Sequence, residues 1–116
     1  MLPFKNRFHG HGSLRYVYKN GQTDRSRLMT IRFVKNPRRR DSRVAIVVGK
    51  KILKSAVRRN KIRRRLYEAL RLKIYDLREP FDVVIIATSS ELLTIPFKEI
   101  VKHIDNVFQK FGLYKS

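Results

Sequence analysis

Lysine and arginine crowd one stretch of the chain, KKILKSAVRRNKIRRRLYE at residues 50–68. Its cations are Lys50, Lys51, Lys54, Arg58, Arg59, Lys61, Arg63, Arg64 and Arg65, with Asn60 among them and Glu68 the single acid. Guanidinium groups meet phosphate oxygens through paired hydrogen bonds and stack on exposed bases. The chemistry on offer is the grip of a polyanion. Bond-breaking chemistry finds little material. A metal-dependent nuclease needs carboxylates gathered around Mg²⁺ and water, yet Asp24, Asp41, Glu68, Asp76, Glu79, Asp82, Glu91, Glu99 and Asp105 lie scattered without a paired spacing. Cysteine is absent, which removes disulfides, thiolate nucleophiles and Cys-based zinc sites together. His9 and His11 could hold a metal weakly, but a flexible glycine-bearing terminus is the simpler account, and His103 beside apolar helical positions reads as packing. No catalytic residue and no metal ligand is assigned.

The elements that must position these cations come from a chain of 116 residues, 42% hydrophobic, with a formal net charge of +19. That length suits one core, so residues 1–116 are read as a single RNA-binding domain with a flexible N-terminus over about 1–10. No apolar run reaches the roughly 18 residues that span a bilayer, and the start lacks the apolar core of a secretory signal, so a cytoplasmic protein is expected. A membrane surface also attracts cations, but interfacial helices carry an unbroken apolar face. Here the apolar residues are distributed over strands and helices that need one another. Nucleic acid is the expected partner, and the preponderance of Arg in the basic helix favours structured RNA over a plain duplex. No helix-turn-helix spacing or zinc finger supports DNA recognition.

Along the chain, residues 11–19 place Leu14, Val17 and Tyr18 at helical spacing, with Ser13 as N-cap and Asn20-Gly21 as a stop. Residues 28–34 alternate as a strand, residues 36–42 make a turn, and residues 43–50 resume as a β-branched run, which together read as an antiparallel hairpin with a basic tip. From about Ala56 the period becomes helical, with Ile62, Leu66, Ala69, Leu70 and Ile74 on one arc until Pro80 closes the region. The stretch 81–88, FDVVIIAT, reads as a strand covered on both faces and parallel to 43–50, joined to it by that helix. A last helix, capped by Thr94 and ended by Gly112, carries Phe97, Ile100, Val101, Ile104, Phe108 and Phe111. The expected class is an α/β sandwich of order α-β-β-α-β-α.

On the basic helix, Arg58, Lys61, Arg64, Arg65 and Arg71 fall opposite the apolar arc with Asn60 beside them, while Arg59 and Arg63 lie near its border. One face grips the core and the other meets a polyanion, whose neutralisation of charge releases counterions and offsets the repulsion among the cations.

These residues resemble the protein subunit of bacterial ribonuclease P. The resemblance rests on Lys50, Lys51, Ala56, Val57, Arg59, Asn60, Lys61, Ile62, Arg63 and Arg64, and extends to KNR at 5–7, RVAIVVGKK, DVVIIA and the final LYK, almost the whole chain. Two positions depart from the family pattern: Lys61 stands in place of the last Arg of an Arg-Asn-Arg core, and Tyr67 where many members carry a basic residue.

The resemblance implies a ribosomal protein S5 domain 2-like fold, with a possible extra short strand and a parallel pair joined by a left-handed crossover helix, against the usual right-handed preference. It implies a ribonucleoprotein endonuclease that removes the 5′ leader of precursor tRNA, with the catalytic site in the RNA and Mg²⁺ held by RNA and substrate. Its partners would be ribonuclease P RNA and precursor tRNA, with no obligate protein partner. Lys50, Lys51, Lys54, Arg58, Arg59, Asn60, Lys61, Arg63, Arg64 and Arg65 would face the catalytic RNA. Leu14, Val17 and Tyr18, with Thr30 and Arg32 on the sheet, would line a cleft for the single-stranded leader. Periodicity alone reads Leu14, Val17 and Tyr18 as a core stripe, and Arg38, Arg39 and Arg40 fit either phosphate contacts or a solvated turn. The competing functions are a structural RNA-binding protein of ribosomal type and a stand-alone nuclease.

Overall fold

The computed structural model describes residues 11–115, so KNR at 5–7 and the N-terminal segment of about 1–10 lie outside the described residues. The elements run α1 (His11–Asn20), β1 (Gln22–Arg25), β2 (Met29–Lys35), β3 (Arg43–Val47), α2 (Ala56–Arg71), a 3₁₀ turn (Ile74–Asp76), β4 (Phe81–Ala87), a second 3₁₀ turn (Ser90–Leu93) and α3 (Phe97–Lys110). They form one four-stranded sheet in the order β1-β2-β4-β3. β1 supplies the extra short strand.

The expected hairpin does not form. β4 inserts between β2 and β3, antiparallel to β2 with Ile31 opposite Ile85, and parallel to β3 with Ile46 opposite Ile85. The reason is burial: β4 is the most apolar segment and every residue from Phe81 to Ile85 is buried, which the centre of the sheet provides and an edge does not. The loop from β2 to β3 crosses the start of β4 and is tied there. Asn36 N donates to the Pro80 carbonyl at 2.9 Å and Phe81 N donates to Ser42 Oγ at 3.0 Å. Beside these bonds Arg43 clasps Asp82 through Nε at 3.0 Å and Nη2 at 2.8 Å, and Asn36 Nδ2 adds a third bond at 2.9 Å.

Alternation along the strands sorts two layers. Met29, Ile31, Phe33, Val83 and Ile85 join one core cluster with Ile62, Leu66, Ala69 and Leu70 of α2 and Ile100, Ile104, Val107 and Phe108 of α3. The opposite face holds Val84, fully buried where α1, with Val17 also fully buried, packs against β2 and β4. Gly21 lets α1 lie this close: a Cβ there would stand 2.6 Å from the Val17 carbonyl oxygen and 3.0 Å from that of Phe33. The final Leu-Tyr-Lys pairs back on the chain, with Tyr114 bridged to Leu77, Lys115 N donating to the Asp76 carbonyl at 2.9 Å, and Tyr114 Oη donating to Asp105 at 2.7 Å. Burial, then the Asp105 carboxylate, push the Tyr114 hydroxyl well above the usual phenol range.

Several expected ends shift. Ser13 lies inside α1 rather than at its cap, Pro96 and not Thr94 caps α3, and α2 stops at Arg71, leaving Ile74 to a 3₁₀ turn. Thr94 closes the preceding 3₁₀ turn, its N–H donating to the Glu91 carbonyl.

His103 on α3 meets Ser26 Oγ through Nε2 at 3.2 Å. Burial lowers its pKa below the ordinary imidazole value, with nearby Asp24 partly opposing. The unfolded chain therefore binds the proton more readily, and stability present above about pH 6.5 is lost as pH falls toward the folded-state pKa. Thermal midpoints measured from pH 7.5 down to pH 5 are expected to fall, and His103→Gln to flatten that fall; an unaltered profile would place the titration elsewhere.

Candidate nucleic-acid interface

The basic stretch folds as a turn followed by a capped helix. Ile52 N donates to the Gly49 carbonyl at 3.2 Å, and Ser55 Oγ accepts from Arg58 N at 3.3 Å, satisfying one of the free amides at the start of α2. Arg59 reaches back instead of outward: its Nη1 donates to the carbonyls of Leu53 at 2.9 Å and Lys54 at 2.7 Å. This staples the loop bearing Lys50, Lys51 and Lys54 to the first turn of the helix.

The structure divides the cations named from the sequence. Among the described residues, the side chains of Lys50, Lys51, Lys54, Arg58, Lys61 and Arg64 are exposed and have no hydrogen-bond or ion-pair partner. Arg63 donates to Asn60 Oδ1, which orients both side chains. Arg65, expected among the outward cations, instead donates to the carbonyls of Leu92 and Ile95, acceptors that the second 3₁₀ turn and the loop after it leave over. The outward surface is a ridge of unpaired charges on a backbone fixed by Arg59 and Arg65.

Along this ridge runs a groove of about 420 Å³ lined by Val57, Asn60, Arg63, Arg64 and Tyr67. Val57 is 76% exposed, an apolar surface set among cations. Sequence reasoning did not assign Val57 or Tyr67 a place at the interface. The signal was present in their spacing, since Val57, Asn60, Arg64 and Tyr67 follow one another at three- and four-residue steps.

Acidic residues reinforce the polarity of this surface by pairing elsewhere. Arg27 binds Glu91, Lys110 lies 3.3 Å from Asp24, Lys73 lies 3.4 Å from Asp105, and Lys35 and Arg78 both meet Glu79. On α2 itself Arg71 pairs with Glu68 at 3.1 Å. Among the described residues no three His, Asp or Glu side chains gather closely enough to share a cation.

The second feature lies across the sheet. Register places Thr30, Ile86 and Val47 in one cross-strand row and Arg32, Val84 and Ala45 in the next, on the face that carries α1. Val17 is fully buried on that face and serves as the packing contact, while Leu14 is half-buried and Tyr18 exposed at the helix border. Arg32 is not a free cation. Its Nη2 donates to the Tyr18 carbonyl, its guanidinium lies 5.4 Å from the centre of the Tyr18 ring, and its buried Nε has no partner. The arrangement closes the C-terminal end of α1 and braces one side of an aromatic ring that stands beside an open strip of sheet.

Residues 2–112 match the family model described as Ribonuclease P. The chain belongs to the ribonuclease P protein family. Among curated ribonuclease P protein components, one from a Synechococcus strain is 31% identical over all of this chain and 89% of its own length. Another, from Clostridium acetobutylicum, is 34% identical over 94% of this chain and 91% of its own. The fold agrees with solved ribonuclease P proteins. That of Staphylococcus aureus has a TM-score of 0.79 at 22% identity, covering 95% of this chain and 98% of its own. That of Thermotoga maritima has a TM-score of 0.72 at 27% identity, covering 84% and 89%. Within the chain, α2, which carries the cationic ridge, and α1, which carries Tyr18, pack on opposite faces of the one sheet.

Proposed function

We propose that this chain is the protein subunit of a tRNA-processing ribonuclease P in the cytoplasm, holding the catalytic RNA on the ridge of α2 and the 5′ leader of precursor tRNA in the cleft beside α1. The observation that carries the reading is the contrast between Lys50, Lys51, Lys54, Arg58, Lys61 and Arg64, whose side chains have no hydrogen-bond or ion-pair partner among the described residues, and acids drawn into internal pairs. A fixed array of this kind neutralises phosphates and releases their counterions. Arg59, Asn60, Arg63 and Arg65 contribute by holding the array in shape, and Arg63 beside the groove can also reach a phosphate.

Tyr18 supplies a stacking platform braced by Arg32, which suits a leader of variable sequence because every base has a π-face. Thr30, with Ile86 and Val47, floors the adjacent strip, and Leu14 borders it. The chain's contribution to cleavage is to lower repulsion between leader, tRNA and catalytic RNA. Mg²⁺, which the reaction requires, would be bound by RNA and substrate phosphates. Asp24, Glu68, Glu79, Asp82, Glu91 and Asp105 are each engaged by a cation of the chain itself.

Addition of the purified chain to a bacterial ribonuclease P RNA and precursor tRNA at low Mg²⁺ is expected to restore 5′ cleavage. Absence of stimulation, with tight retention on ribosomal RNA, would instead identify a structural RNA-binding protein. Cleavage by the chain alone after removal of contaminating RNA would identify a nuclease. Tyr18→Ala is expected to weaken binding of leader-bearing precursors by about 1–3 kcal/mol while sparing mature tRNA. Equal losses for both substrates would return Tyr18 to a packing role.

A further inference from the structure

On the α1 face, two residues along β4 from the Val84 row and away from Ile86, lies a basin of about 720 Å³ whose wall includes Tyr16, Asn36, Arg38, Arg39, Arg43 and Asp82. Its volume falls in the range of sites that hold a small molecule or a single nucleotide. Three properties of the wall act together. Tyr16 is 53% exposed, and among the described residues its side chain has no ring or hydrogen-bond partner. Arg38 and Arg39 are likewise exposed without a side-chain partner among the described residues. The acid in the wall, Asp82, is neutralised by the two-bond contact from Arg43, so it does not repel an anion.

Asn36 adds a directional group. Its Nδ2 donates to the Asp82 carboxylate, which only accepts, so the amide is oriented and Oδ1 remains an acceptor without a partner among the described residues. A solvated loop tip accounts for two exposed arginines, but not for an unpaired aromatic, an oriented amide and a neutralised carboxylate around the same concavity. Arg40, next in sequence, lines a different groove with Tyr75 and Lys115.

The geometry points to a second single-stranded RNA subsite, in which a base stacks on Tyr16, the flanking phosphates bind Arg38 and Arg39, and Asn36 Oδ1 accepts from a base amino or imino group. The inference rests on the reading of the neighbouring Tyr18 cleft as a leader site and extends it past α1. Either the distal leader or an unpaired nucleotide of the catalytic RNA presents this chemistry.

The full chain carrying Tyr16→Ala, Tyr16→Phe, or Arg38→Ala with Arg39→Ala is titrated with a labelled single-stranded oligouridylate of about twelve nucleotides. The same variants are then assembled with bacterial ribonuclease P RNA and assayed on precursors with leaders of about four and about twelve nucleotides. Tyr16→Ala is expected to weaken oligonucleotide binding roughly tenfold, and Tyr16→Phe to restore it. The paired arginine substitution is expected to lower the salt slope by about 1.4. A loss confined to the longer leader supports the inference and identifies the distal leader as occupant; equal losses with weaker association of the RNA subunit support it and identify the catalytic RNA.

Unchanged oligonucleotide affinity and salt slope, in a protein that does stimulate cleavage, overturns the inference and leaves the proposed function standing. Lack of stimulation by the wild-type chain, with oligonucleotide binding still dependent on Tyr16, overturns the leader reading while the single-strand subsite holds.

Discussion

Asp82→Ala is expected to lower unfolding stability by about 3–5 kcal/mol, read as a shift of the urea midpoint. Asp82 and Arg43 are almost wholly buried, with side chains 3% and 7% exposed. Removing the carboxylate leaves a guanidinium in a low-dielectric site with its strongest acceptor gone, whereas a surface pair lost in the same way costs about 1 kcal/mol or less. The effect reaches beyond one ion pair, because Asn36 also donates to Asp82 and the β2–β3 crossing is anchored at that point. Replacing both partners with apolar residues, Asp82→Leu with Arg43→Met, is expected to recover most of the loss, since neither charge then remains unpaired. A loss below about 1 kcal/mol for Asp82→Ala would show that water reaches the site and that the pair behaves as an exposed one.

The largest functional loss is expected from substituting Arg58, Lys61 and Arg64 together with alanine. All three are exposed and unpartnered among the described residues, and alanine keeps the helix, so far-ultraviolet dichroism and thermal midpoint should hold. If each cation neutralises one phosphate, the slope of log affinity against log salt falls by about 2–3. At roughly 1–1.5 kcal/mol per contact, affinity for the RNA subunit at low salt falls by about two to three orders of magnitude. Arg65→Ala provides the contrast: its guanidinium serves the carbonyls of Leu92 and Ile95, so it should reduce stability and leave the slope nearly unchanged. A slope equally insensitive to the triple substitution would remove the ridge from the interface.

Much of the architecture was legible because burial patterns are local. The helical period from Ala56, the alternation of β2 and the two-sided apolar run of β4 each follow from side-chain spacing, and the parallel pairing of β3 with β4 follows from the helix between them. The neighbour of β2 was not legible. Alternation states which side of a strand is buried and is silent on which strand lies beside it, so the connection 36–42 passed for a hairpin turn. β1 escaped notice as a defined strand because QTDR contains no buried position to mark it.

At the site, the helical wheel separated inward from outward positions but not free cations from engaged ones. Arg59 was identified as near the apolar arc, and the structure shows what occupies it: carbonyls left over before the helix starts. Arg65 turned away from its expected outward position because acceptors from residues 92 and 95 come within reach, a contact separated by roughly thirty residues that no local period encodes. The same holds for Arg32, placed correctly on the α1 face yet engaged by the Tyr18 carbonyl. Positions were readable from the chain; the identity of each guanidinium's partner depended on the assembled fold.

The placement of β4 at the centre of the sheet also governs when the protein can fold. β2 and β3 have no pairing with each other and are brought into one sheet only by residues 81–87, which are made after both. Until then only β1 and β2 have each other to pair with, and the joining of β3 to them depends on the long-range contacts that β4 makes on both of its edges.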